Sequence, residues 1–237
     1  EKIYDSVKTS FYKTLLSGLK NLSGSKIPEL TEEEKEKELE GTLDQTKVCK
    51  KECKFSKLEK AVLATKPGGL VTIEPGIYKV NLALDENILI TGTERDAVIL
   101  QGEKPGHPVL KLDSGANVKL KSLTIQYALE SEGEESCENK TRGICPNGIT
   151  VSSTALLELE DVSVKGNRMG IGLIDAGRTV IKNSSITKNS YYALELKGNS
   201  DAKIYNSILS GGKAGISLSD FSVANIEDDK RRAKEDI

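Results

Sequence analysis

The chain has 237 residues, with 34 Lys and Arg against 36 Asp and Glu, so no net charge draws the whole molecule toward nucleic acid or a membrane surface. Aromatics make up 4% with no Trp, which leaves little for the stacking platforms that bases or sugars use. No run approaches the ~18 apolar residues of a membrane span, and a chain beginning at Glu1 is expected to be a trimmed or processed form that has lost a leader.

Residues 1–22 place Ile3, Val7, Phe11, Leu15, Leu19 and Leu22 at steps of four and three, a helical stripe that Ser23-Gly24 stops. Its expected role is packing on its own protein; membrane contact, with Lys2, Lys8, Lys13 and Lys20 off the face, is the alternative. Thr31 with Glu34 reads as a capping box that opens a charged helix, TEEEKEKELE, ending near Gly41. The four cysteines fall as two close pairs, Cys49 with Cys53 and Cys137 with Cys145. Local disulfides are the preferred reading, because each pair brackets a polar loop that a bridge would stiffen, and they favour an oxidising compartment. Zinc held by four thiolates is a rival weakened by the lack of CxxC spacing, and free thiols stay open.

A second capping box, Ser56 with Glu59, predicts a short helix in SKLEKAVLATK that Pro67-Gly68-Gly69 ends, with Leu58, Val62 and Leu63 covering something apolar. Beyond it the rule changes to short strands, turns and glycine, so the domain boundary is placed near residue 55. Four segments then align with one another, anchored at Ile149, Ile171, Leu194 and Ile216, at steps of 22, 23 and 22. A second strand recurs inside each repeat at Leu159, Ile181 and Ile204, and Leu120 continues that column upstream. The period is too short for a βαβ unit, which needs about 30 residues. It suits one turn of a β-solenoid whose inward residues are Ile149 and Val151, Ile171 and Leu173, Leu194 and Leu196, Ile216 and Leu218. A polar column of Asp161, Asn183 and Asn206, with Ser122 before it, predicts a structural ladder at one turn, and Asn167 with Asn189 marks another.

The stretch LEKAVLATKPGGLVTIEPGIYKVNLALDENILITGTERDAVILQG resembles the opening of the pectate-lyase-like right-handed parallel β-helix superfamily, in which a capping helix leads into a strand ending in P-G-x-Y. It is similar, too, to periplasmic NosD-type repeat proteins. The resemblance covers about residues 56 to 225 and implies an all-β solenoid, a right-handed single-stranded parallel β-helix, here with a helical N-terminal extension. It implies little about activity, because the superfamily holds lyases, hydrolases, esterases, epimerases, adhesins and scaffolds. A lyase would need a Lys or Arg base and calcium on carboxylates, a hydrolase clustered aspartates, and a methylesterase two aspartates and an arginine. The sequence carries no NTD, no GHG and no DD pair in a coil; Asp228-Asp229 falls in the charged tail. His107, in KPGHPV, and the turn residues Arg168 and Arg178 have no visible partners.

The expected site follows from geometry. The outward positions of the first strand in each coil are Lys111, Thr150, Gly172, Glu195 and Ser217, with Asp113, Asp175, Lys197 and Asp220 at the strand ends. Coils stacked about 4.8 Å apart would bring Asp175, Glu195 and Lys197 together, so Lys111, Asp175, Glu195 and Lys197 are the candidate ligand-binding residues. A glutamate-rich insertion, residues 128–146, holds Cys137 and Cys145 and would line a groove or stand as a surface excursion. NIEDDKRRAKEDI reads as a polar helix capped by Asn225. The resulting expectation is a helical extension over 1–55, a β-helix with its capping helix over 56–225, and a polar helix or tail over 226–237. The expected role is a non-catalytic module, secreted, periplasmic or at the cell surface, that binds a polysaccharide or a protein partner and not nucleic acid. No cofactor is evident and calcium is the one admitted; a polysaccharide lyase, hydrolase or epimerase and an adhesion or assembly scaffold are the alternatives.

Overall fold

The computed structural model describes residues 39–104, 106–113, 115–127 and 147–227, and all structural statements below concern these. The elements run β1 (Leu43–Val48), α1 (Leu58–Ala64), β2 (Thr65–Ile73), β3 (Gly76–Lys79), β4 (Leu82–Leu84), β5 (Ile88–Gly92), β6 (Val98–Gly102), β7 (Leu110–Leu112) and β8 (Asn117–Tyr127). They continue through β9 (Ile149–Ser152), β10 (Leu156–Lys165), β11 (Met169–Ile174), β12 (Arg178–Lys182), β13 (Ser185–Asn189) and β14 (Tyr192–Leu196). The last are β15 (Asp201–Tyr205), β16 (Ile208–Gly211), β17 (Ala214–Leu218) and β18 (Val223–Glu227).

All the strand pairs are parallel, and beyond the first pair, β1 with β2 across α1, partners are not consecutive strands, which makes the chain a coil that returns to each side once per turn. One sheet of twelve strands follows the path β1-β2-β5-β8-β10-β12-β15-β18, with β3, β6, β13 and β16 beside it. The other has six strands in the order β17-β14-β11-β9-β7-β4.

Three apolar columns hold the coils together. Ile149, Ile171, Leu194 and Ile216 stack in register on the six-stranded sheet, as the repeat spacing predicts. Val71, Ile90, Leu120, Leu159, Ile181, Ile204 and Ile226 stack along the long path. A third column, Tyr78, Leu100, Ile125, Val164, Ile186 and Leu209, supplies the remaining side. Most of these side chains are fully buried, and alternation along each strand is the reason: a period of two sends every second residue into the shared interior.

The corners are set by backbone conformation. Ser122, Asp161, Asn183 and Asn206, one per coil, all have positive φ, between 46° and 54°. Asn and Asp reach that left-handed region at less cost than other residues with a Cβ, so this column turns the chain between two strand segments. An amide pair lies inside the next corner, where Asn167 Nδ2 donates to Asn189 Oδ1 at 3.1 Å and both residues are buried.

Three expectations need correction. The β-helix begins before residue 55, because β1 pairs with β2 within the stretch read as helical extension. Its LDQTKV sequence is too polar to announce a strand, and only Thr46 and Val48 are buried. The short helix starts at Leu58 behind Lys57 with no side-chain cap, so Ser56 and Glu59 form no capping box; Pro67-Gly68-Gly69 lies within β2 after the helix has ended. Asn225 caps no helix: it sits in β18, paired with Lys203, because the open edge of β15 templates one more strand. The stripe of residues 1–22, the stretch 31–38, the insertion with Cys137 and Cys145, and residues 228–237 lie outside the described residues.

Candidate functional site

The outer face of the six-stranded sheet carries one row of outward residues, Ala83, Lys111, Thr150, Gly172, Glu195 and Ser217, each in register with the next. Lys111 Nζ lies 2.6 Å from Asp113 Oδ1, and Lys197 Nζ lies 3.1 Å from Glu195 Oε1. Both are pairs two residues apart on one face of a strand, so each cation lies along its own strand. Glu195 is the more enclosed of its pair, with 14% of its side chain exposed against 51% for Lys197. The Lys111–Asp113 pair is exposed on both sides, and such pairs contribute about 0 to 1 kcal/mol. Gly172 leaves the centre of the row without a side chain, and the Asn147 amide leans over the gap while donating to Thr150 Oγ1 at 3.1 Å.

Of the candidate residues, the structure joins Glu195 to Lys197, sets Lys111 three coils away in the same row, and places Asp175 elsewhere. β11 ends at Ile174, and Asp175 has turned into the left-handed region with φ 63°, in a corner column with Ser153, Gly198 and Asp220. Its carbonyl accepts from Asn199 N–H at 2.5 Å. Among the described residues no hydrogen bond or ion pair links its carboxylate to Glu195 or Lys197.

Aromatic residues stand at the other margin of the sheet, where each coil enters it. The Tyr191 N–H donates to Arg168 C=O, and the Lys213 N–H to Tyr191 C=O, each at 2.8 Å, so the three residues stack directly. The Arg168 guanidinium carbon lies 4.8 Å and Lys213 Nζ 3.9 Å from the centre of the Tyr191 ring. Tyr192, first residue of β14, meets Tyr191 edge to face with ring centres 6.0 Å apart. Hydrogen bonding and charge from Lys213, then charge from Arg168, hold the Tyr191 phenol below the usual tyrosine range. The sequence did contain this cluster: Arg168, Tyr191 and Lys213 each lie three residues before a repeat anchor, Ile171, Leu194 and Ile216.

A second polar cluster lines a cleft of about 380 Å³ at the opposite corner, among Thr93, Glu94, Arg95, Asp96, Ser122 and Asp161. Arg95 donates to both Asp96 oxygens at 3.2 and 3.1 Å and to Asp161 Oδ1 at 3.3 Å, while Ser122 Oγ donates to Asp161 Oδ2 at 3.0 Å. The Arg95 guanidinium, through those hydrogen bonds, holds the Asp96 carboxyl below the usual range. Both carboxylates accept from the one guanidinium through charge-assisted hydrogen bonds. Among the described residues no group of three or more His, Cys, Asp or Glu is placed to hold a metal, and no helix is long and apolar enough to cross a membrane.

The family described as "Right handed beta helix region" matches residues 111–230, just over half of the chain. No curated protein matches the sequence at a significant level. Among solved structures, pectin methylesterase PemA from Erwinia chrysanthemi aligns over 68% of this chain and 54% of its own, with 15% identity and a TM-score of 0.50. A pectin methylesterase in complex with a hexasaccharide aligns over 78% of this chain and 66% of its own, with 16% identity and a TM-score of 0.54. The chain thus spans about half to two thirds of these proteins, and at such identities the likeness is one of fold.

Proposed function

The chain belongs to the right-handed β-helix family, and from that premise we propose that it is a carbohydrate-binding module, exported from the cytosol, which lays an extended glycan along the outer row of its six-stranded sheet. The observation that carries this reading is the pairing of that row with the Tyr191–Tyr192 corner. Sugar rings bind through an apolar face on an aromatic ring and hydroxyls on polar side chains. Here Tyr191 and Tyr192 stand at the start of β14, whose Glu195 is in register with Thr150, Gly172 and Ser217, and the row advances by about 4.8 Å per coil. Lys111 and Asp113 extend the strip toward the amino-terminal coils. The like-folded protein with a bound hexasaccharide is a precedent for an oligosaccharide on this fold. The Cys49–Cys53 disulfide supports an oxidising compartment.

Migration of the full chain through gels containing dissolved polysaccharides tests the reading. At least one glycan should retard it, and Tyr191→Ala should weaken the retardation about tenfold, the equivalent of ~1.4 kcal/mol. Unretarded migration through every polysaccharide would refute it.

The cleft at Arg95 supports a second reading, ester hydrolysis, because two aspartates and an arginine meet there. It ranks below binding because Asp96 and Asp161 are both engaged by one guanidinium, and Asp161 by the Ser122 hydroxyl as well. Methanol release from methyl-esterified polyuronate, abolished by Asp161→Asn, would raise it to first place.

A further inference from the structure

Resting on the glycan-binding reading above, we propose that Arg168, Tyr191 and Lys213 form an anion subsite, which selects saccharides carrying a negatively charged substituent, a carboxylate or a sulfate ester, where the glycan enters the sheet. The geometry places two cations against one half-buried ring, with the guanidinium carbon at 4.8 Å and the ammonium at 3.9 Å from its centre. Among the described residues neither cation forms a salt bridge. Other cations on this sheet differ: Lys111 is bound to Asp113 and Lys197 to Glu195. The corner therefore holds unneutralised positive charge beside an apolar face.

Chemistry sets what such a corner admits. A neutral sugar gains only the ring face of Tyr191. A sugar with an anionic group keeps that contact and adds a charge-assisted hydrogen bond from the guanidinium fork or the ammonium, roughly twice as strong as a neutral one. The two cations and the ring between them come from three successive coils, one residue per coil, so the spacing of their backbones is fixed by the solenoid. Tyr192, edge-on to Tyr191, braces the ring that both cations contact.

The test measures affinities of the full chain for polygalacturonate, its fully methyl-esterified form, a sulfated glucan and the unsulfated glucan, at low and at physiological salt. The anionic member of at least one pair should bind about tenfold or more tightly than its neutral partner, and the pair that shows it names the anion. Lys213→Ala and Arg168→Ala should each lose about three- to tenfold for the anionic glycan and less than twofold for the neutral one. Lys203→Ala, the same change of net charge on the twelve-stranded sheet, should lose less than twofold. Equal affinities within both pairs, or losses in Lys203→Ala that match those in Lys213→Ala, would overturn the subsite while leaving glycan binding intact. Binding to none of the four would overturn both readings together.

Discussion

Asn189 is the polar residue whose removal should cost the fold most. It is 2% exposed, and its Oδ1 accepts from both the N–H and the side-chain amide of Asn167 at 3.1 Å, while its Nδ2 donates to Val164 C=O at 3.1 Å. Asn189→Ala removes the partner of the Asn167 N–H, one of the two bonds of the Asn167 amide, whose other bond goes to Lys165 C=O at 2.9 Å, and a bond to Val164 C=O, all in a buried corner. At about 1 to 3 kcal/mol for each buried group left unmade, and with water able to enter part of the vacated space, the loss should be about 3 to 5 kcal/mol. Asn183→Gly is the contrasting variant. Asn183 is exposed, its side chain makes no hydrogen bond among the described residues, and its φ of 50° suits glycine. That change should alter stability by less than about 1 kcal/mol. Urea unfolding followed by far-ultraviolet circular dichroism measures both. If Asn189→Ala shifts stability by less than 1 kcal/mol, or Asn183→Gly destabilises more than Asn189→Ala, the buried amide pair is not what holds these corners.

Other consequences are simpler. Gly170→Ala should destabilise by about 1 to 3 kcal/mol, because a Cβ there would lie 2.4 Å from Ile186 Cγ2 and 2.5 Å from Ala193 C=O; Gly172→Ala, whose closest neighbour is the side-chain amide of Asn147 at 3.0 Å, should be far milder, and thermal melts compare them. Reducing Cys49–Cys53 should cost about 2 kcal/mol, the loop-closure entropy of a short loop, and should leave the later coils folded, as hydrogen exchange would show. Asp96 has a folded pKa depressed by Arg95, so its contribution is present above the ordinary carboxylate range and fades as pH falls through the lower folded value. Arg95→Ala should therefore flatten the stability profile below about pH 4; an unchanged profile would count against the cluster.

The columns at Ile149 and Leu159 were legible because strict alternation inside a fixed period leaves few alternatives. The polar ends were not. LDQTKV carries two buried side chains, and NIE precedes a run of charge, so neither announces a strand until a neighbouring parallel edge offers it hydrogen bonds. The site was half legible for a related reason. Counting along strands places Glu195 beside Lys197 correctly, but carries the same count past Ile174 into a corner where Asp175 turns away. The Tyr191 cluster was hidden by a composition argument: 4% aromatics says little when two of seven tyrosines share one corner. Reading the repeats down the column three residues before each anchor would have found it.

Tyrosine nitration with and without a bound oligosaccharide tests the placement of the glycan most directly. Tyr191 and Tyr192 should lose reactivity in proportion to saturation while Tyr205, on β15 of the twelve-stranded sheet, keeps its own. Protection of Tyr205 with Tyr191 left reactive would contradict the account.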